Sequence, residues 1–195
     1  QARGAATASA AMTSQEELPH RLSYEELADS LEHFLADWNG DGPLWVFGYG
    51  SLIWRPDLSF DERRPARVHG YHRLLCLWSR INRGGSCAGV VYQVPAAAVR
   101  GQFMQLWQRE MMTNSYHPRH LDCRLEDGAI VSAVAFVVRR DAPNYAGRLD
   151  EQQILDVFHR GSCGRYGTSL EYLVNTVCAL RAHGIVDPHL ERLAR

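Results

Sequence analysis

Apolar residues fall at helical spacing at Leu27, Leu31, Phe34, Leu35 and Trp38, behind Ser23-Tyr24-Glu25-Glu26. The serine and the second glutamate stand three apart, as a capping box requires, so a helix begins here. Asn39-Gly40-Asp41-Gly42-Pro43 ends it. Leu44 to Gly48 reads as a buried strand, and Val68 to Trp78 and Cys87 to Val94 as further strands rich in aromatic and β-branched residues. Pro95 opens a helix to about Met112, with Val99, Phe103, Leu106 and Trp107 on one face. Leu121 to Leu125 and Ala129 to Val138 flank Asp127-Gly128, a strong hairpin signal. Asp150 and Gln153 start a helix to about His159, and a glycine-rich link through Gly161, Gly164 and Gly167 leads to a long helix from Ser169 to His183. Gly184 stops that helix, and Pro188 begins a short last one. Strands with helices inserted between them predict an α+β domain: a mixed, barrel-like β-sheet with surrounding helices.

Composition narrows the class. The chain has 195 residues, 46% hydrophobic and 22% charged, with a formal net charge of −1. That is one ordinary globular domain, expected over residues 23–195, with nothing to attract nucleic acid or a membrane surface. All 21 basic residues are arginine, so lysine Schiff-base chemistry is excluded. Cys76, Cys87, Cys123, Cys163 and Cys178 form an odd set without a Cys-x-x-Cys pair, which suits a reducing, cytoplasmic compartment. Residues 1–22 read as an N-terminal extension, flexible or foreign to the native protein, with Met12 a candidate native start. Gln1 to Ser14 lacks the apolar core of a signal peptide.

Two places invite chemistry. In Trp45-Val46-Phe47-Gly48-Tyr49-Gly50-Ser51-Leu52-Ile53-Trp54 an apolar strand runs into Gly-Tyr-Gly-Ser. A bend with glycines on both sides of a tyrosine can present backbone N–H groups to an anion or a polarised carbonyl, and an ordinary β-turn fits a bare Gly-x-Gly equally well. Glu110 lies seven residues past Phe103 and four past Leu106, which places it on the core-facing side of its helix. A carboxylate there needs a partner or a task. An ion pair with Arg109 or fraying at the helix end are the structural alternatives.

The string Phe47-Gly48-Tyr49-Gly50-Ser51-Leu52-Ile53-Trp54 resembles the signature of the γ-glutamylcyclotransferases, most closely their ChaC-like, glutathione-degrading branch. Leu106-Trp107-Gln108-Arg109-Glu110 is similar to the segment in which that family carries its catalytic glutamate. The resemblance runs from about Leu44 to Leu193. It implies that glutathione is converted to 5-oxoproline and cysteinylglycine, with Glu110 as general acid/base and without cofactor or metal. It further implies that Val46, Phe47, Gly48, Tyr49, Gly50, Ser51 and Leu52 form the γ-glutamyl-binding loop. Tyr49 and Ser51 are candidates for holding the α-amine or α-carboxylate, and Tyr116 and Tyr172 for closing the site. Asn144-Tyr145 and Gly167 with Glu171-Tyr172-Leu173 also fall where the family has similar residues.

Such a reaction explains the residues it asks for. The free α-amine of a γ-linked glutamate can reach its own γ-carbonyl in a five-membered ring. The amine must lose a proton and the leaving nitrogen must gain one, and a partly buried carboxylate can serve both steps. Backbone N–H groups near Gly50 and Ser51 are candidate donors to the oxyanion. A clamp on the glycine carboxylate is expected from one of Arg55, Arg80, Arg83 and Arg109. The alternatives are a catalytically silent ChaC-like regulator using the same pocket, and a cyclotransferase for other γ-glutamyl amides. His69-x-x-His72 and His117-x-x-His120 lack the further ligands of a metal site. Gly161-Ser162-Cys163-Gly164 lacks the lysine of a phosphate loop.

In one place the chain departs from the family pattern. Asn82-Arg83 meets Gly84-Gly85-Ser86-Cys87 almost directly, where members have a longer segment with Gly-Thr-Pro and an apolar strand. A barrel short of a strand would expose an edge, so the expectation is that a loop is missing from the sequence as written.

Overall fold

The computed structural model describes residues 21–76, 78–142, 145, 147, 149–161, 163–164 and 167–195, with the backbone alone at 74–76, 78–84 and 163–164. Helix α1 (Tyr24–Phe34) is capped as its sequence predicts: the Ser23 hydroxyl accepts from the Glu26 N–H, and the Glu26 carboxylate accepts from the Ser23 N–H. The chain is already tied down just before it, since the Leu22 N–H donates to the Met112 carbonyl at 2.9 Å.

Five strands close into a barrel in the order β1-β3-β2-β4-β5. They are β1 (Leu44–Gly48), β2 (Glu62–Cys76), β3 (Trp78–Val94), β4 (Tyr116–Leu125) and β5 (Ile130–Val138). Strand β1 lies antiparallel to β3, with Phe47 opposite Val91, and parallel to β5, with Val46 opposite Val134. The mixed, barrel-like sheet is therefore as expected. The chain runs continuously through Asn82–Cys87 inside β3, where Asn82 pairs with His72 and Cys87 with Val68, and the ring closes without a further strand. Pairing with β2 along its whole length lets five strands suffice.

Closure sorts the side chains into three layers. Phe47, Ala66, Val68, Val91, Leu121, Cys123, Leu125, Ala133 and Ala135 come from all five strands and fill the barrel interior. Their neighbours Val46, Val94, Val134 and Phe136 point outward beneath α1 and α3 (Val99–Glu110), meeting Leu31, Phe103, Leu106 and Trp107. On the other flank Val90 and Tyr92 meet α4 (Glu151–His159), α5 (Ser169–Ala182) and α6 (Pro188–Leu193) through Ile154, Leu173, Val177 and Leu190. Strand β1 is thus covered on both faces, which is why its sequence is continuously apolar. Two short pieces were not legible in advance: α2 (Ser51–Trp54), and a small hairpin of β6 (Cys163–Gly164) with β7 (Gly167–Thr168).

Where β1 ends, backbone meets backbone. A Cβ on Gly89 would stand 2.3 Å from the Gly48 carbonyl oxygen and 2.8 Å from the Phe47 ring. Gly89→Ala is accordingly expected to lose about 2 to 3 kcal/mol in urea unfolding. Gly101→Ala, on α3 with nothing within 4 Å of the added carbon, is expected to be neutral or to gain up to about 1 kcal/mol.

Candidate active site

Strand β1 leaves the barrel at Gly48, and the chain turns at once into α2 with Gly50 at its N-cap. Gly48 is needed for this turn: a Cβ there would press on Leu52 at 3.1 Å and on the Tyr92 ring at 3.2 Å. Val46 and Phe47 are fully buried, and Leu52 is 5% exposed. Their side chains form the walls of two hydrophobic layers, so only their backbone is available to a ligand.

Tyr49 also turns inward. Its hydroxyl donates to the Phe136 carbonyl at 2.5 Å. Burial raises its pKa well above that of a free tyrosine, and the nearness of Tyr116, Glu110, Tyr172 and Cys87 adds to the rise. Glu110 at the end of α3 and Tyr172 on α5 approach the same bend, one through Arg109 and the other directly. Tyr116 at the start of β4 packs against the layer beneath α3.

Glu110 is the last residue of α3, with its side chain 16% exposed. Phe103, Leu106 and Trp107 seat that helix on the barrel and carry the carboxylate to the rim. Arg109 lies against it, Nε 3.0 Å from the Glu110 carboxylate. The same guanidinium donates through Nη2 to the Ser51 hydroxyl at 2.9 Å and through Nη1 to the Arg55 carbonyl at 2.6 Å. Asp57 stands 3.2 Å from Nη1. The ion pair anticipated as a structural alternative for Glu110 therefore exists, and it also bridges the acid to the glycine-rich bend.

Tyr172 faces the bend from α5. Its hydroxyl accepts the Ser51 N–H at 3.0 Å, and its ring packs edge-on against Trp54 at 5.9 Å. The Trp54 indole N–H donates to the Thr176 hydroxyl, which in turn donates to the Tyr172 carbonyl. One main-chain donor of the bend thus points at a position where an oxygen can sit.

Of the four arginines considered for a carboxylate clamp, Arg109 is committed to Ser51, Arg55, Asp57 and Glu110, and Arg55 is half exposed and paired with Asp57 at 2.9 Å. The side chains of Arg80 and Arg83, and all of Asn144 and Ser162, lie outside the described residues. Sequence reasoning missed Asp57, which has no periodic or motif signal, and Arg73, a buried residue bonded to the Tyr49 carbonyl. Among the described residues no cluster of three or more metal-ligating side chains occurs, and no helix is long and apolar enough to cross a membrane.

Comparison with known proteins sets this geometry in a family. The model of the ChaC-like protein family matches residues 44–86 and 81–195, two stretches that meet where Asn82-Arg83 runs into Gly84-Gly85. The glutathione-specific gamma-glutamylcyclotransferase of Escherichia coli (strain K12) is 34% identical, over 88% of this chain and 80% of its own. Glutathione-specific gamma-glutamylcyclotransferase 1 of Mus musculus is 30% identical over 79% of both chains. A crystal structure of the yeast γ-glutamyl cyclotransferase specific to glutathione shares the fold, with a TM-score of 0.70 at 19% identity, covering 79% of this chain and 95% of that one.

Because the Tyr49 hydroxyl is engaged inside the barrel, Tyr49→Phe is expected to cost about 1 kcal/mol of stability in denaturant unfolding. The amide resonance of Ser51 should stay in place in this variant and should shift in Tyr172→Phe, which removes its acceptor.

Proposed function

Since the chain belongs to the ChaC-like family, we propose that it is a γ-glutamylcyclotransferase that converts glutathione to 5-oxoproline and cysteinylglycine. The observation that most supports this reading is the Arg109 guanidinium, which touches the Glu110 carboxylate and the Ser51 hydroxyl at once. It holds a half-hidden acid beside a bend lined with main-chain donors.

The reaction needs little else. Glutathione enters with its γ-glutamyl head folded against Val46 to Leu52, so that the α-amine lies next to its own γ-carbonyl. Confining the head in that shape replaces a search through open conformations, and proximity of this kind can be worth several kcal/mol. Glu110 takes a proton from the amine. The nitrogen attacks the γ-carbon, a new C–N bond closes the five-membered ring, and the carbonyl electrons move to oxygen. N–H groups of Gly50 and Ser51 stabilise that oxygen, with the substrate entering where the Tyr172 hydroxyl now meets Ser51. When the oxyanion collapses, the bond to the cysteinyl nitrogen breaks and Glu110 returns the proton to it. Atoms balance without water, an oxidant or a covalent enzyme intermediate.

Tyr116 and Tyr172 form the sides of the pocket, and Tyr49 supplies a wall and a backbone rather than its hydroxyl. Cys87, Cys123 and Cys178 are free thiols, which supports work in a reducing compartment such as the cytoplasm, where glutathione is abundant in its thiol form. A silent regulator would have no use for a carboxylate held next to the bend.

Glu110→Gln keeps the size of the side chain and removes its basicity. It is expected to lower the rate of cysteinylglycine release from glutathione by a factor of about 100 to 10,000, with thermal unfolding close to that of the wild type. Equal rates from the two proteins would take the acid/base role away from Glu110. A panel of other γ-glutamyl amides run beside glutathione fixes the substrate class.

A further inference from the structure

One buried cation has no part in the chemistry above. The Arg73 side chain is 3% exposed, and a guanidinium at that depth is costly unless its donors are engaged. Nε donates to the Tyr49 carbonyl at 2.6 Å and Nη1 to the Asp187 carboxylate at 2.6 Å. Nη2 donates to the Ala88 carbonyl and lies 3.8 Å from the Cys87 sulfur. The second oxygen of Asp187 accepts the N–H groups of His189 and Leu190 at 3.2 Å each, capping α6. A single side chain on β2 therefore joins the bend after β1, the strand β3 and the C-terminal helix.

A bulge aims it there. Arg73 is five residues past Val68, and in a regular strand an odd offset points to the opposite face. Between His69 and Tyr71 the ladder slips, with Gly84 and Gly85 of β3 standing against Gly70 alone, at φ +81°. Past this break Tyr71 packs with Val68 in the inner layer, and Arg73 reaches the Cys87 sulfur of that same layer. The carbonyl it grips belongs to the trans peptide joining Tyr49 to Gly50. In a trans peptide the C=O and N–H point in opposite directions. Holding the Tyr49 oxygen toward Arg73 thus fixes the Gly50 N–H on the far side of the bend, one residue before the Ser51 N–H that Tyr172 engages.

We propose that Arg73, braced by Asp187, is a positioning residue that sets the direction of the main-chain donors at Gly50 and Ser51, and that α6 governs turnover through it. This rests on reading the bend as the γ-glutamyl site. Arg73 touches neither substrate nor Glu110 in this scheme. It acts through the peptide it holds, so its loss should appear in kcat more than in KM.

The test uses the full chain, with glutathione kinetics beside amide spectra of the unliganded protein. Arg73→Met is expected to lower kcat about 100-fold with KM changed less than about threefold. Arg73→Lys keeps the charge but cannot span all three acceptors, and should recover part of the loss. Asp187→Asn keeps a capping oxygen and should lower kcat about tenfold. In both milder variants the Gly50 and Ser51 amide resonances should move while that of Leu27 on α1 does not. Wild-type kcat with unmoved Gly50 and Ser51 resonances in Arg73→Lys and Asp187→Asn overturns the proposal. So does a loss of kcat that only follows the folded fraction seen by circular dichroism. If Arg73→Met does not fold, those two variants decide the matter alone. If the wild type releases no cysteinylglycine, the functional reading fails, and the amide shifts still decide whether Arg73 sets the bend.

Discussion

The desolvated guanidinium of Arg109 joins the end of α3 to the bend after β1. Arg109 is 8% exposed, hydrogen-bonds to the Ser51 hydroxyl, the Arg55 carbonyl and the Asp57 carboxylate, and lies in ion-pair contact with the Glu110 carboxylate. A flexible ammonium could meet one or two such partners, whereas a planar fork with five donors can meet partners on several sides without leaving its plane. The segments it gathers, the end of α3 and the turn after β1, are about sixty residues apart in the chain. It holds the carboxylate at the rim and gives the bend a polar anchor on the α3 side. Site and fold therefore share one constraint: α3 must end at the barrel rim with Arg109 turned inward, and its buried apolar face fixes that end point.

The barrel beneath supplies stiffness. The inner layer of Phe47, Val68, Val91, Cys123 and Ala135 leaves the strands little room to slide, and helices cover β1 on both sides. A bend that begins at the end of such a strand inherits its rigidity, which is what preorganised donors require. The Tyr49 hydroxyl on the Phe136 carbonyl is a further tether from the bend into that layer.

Much of this was legible in the residues themselves. Periodicity gave α1, α3 and α5 because each carries an apolar stripe broad enough to read. Yet α1 ends at Phe34 rather than near Trp38, and α3 begins at Val99 after a single 3-10 turn and without a side-chain cap. Glu110 could be placed on the inner face by counting from Phe103 and Leu106. Strand β2 was harder. It begins at Glu62 rather than Val68, since Arg63, Arg64 and Pro65 look like a loop until β3 pairs with them. Pro65 is tolerated because pairing with β4 begins only at Ala66. The four residues of α2 are too few to show a period. The inward turn of Tyr49 was hidden by a motif that looks like an exposed turn, and Arg73 was hidden by the bulge, which breaks the alternation on which any strand reading depends. Long-range partners such as Asp187 leave no local trace at all.

That bulge makes the hairpin sensitive to parity. Two residues added between Val68 and Arg73 would lengthen the arm yet leave every side chain facing as before, while one residue added or removed would turn the guanidinium outward and bring a neighbour in. Changes of length in this hairpin should thus be tolerated in even steps and resisted in odd ones, so drift in the arm between related chains has a grain imposed by the pleat.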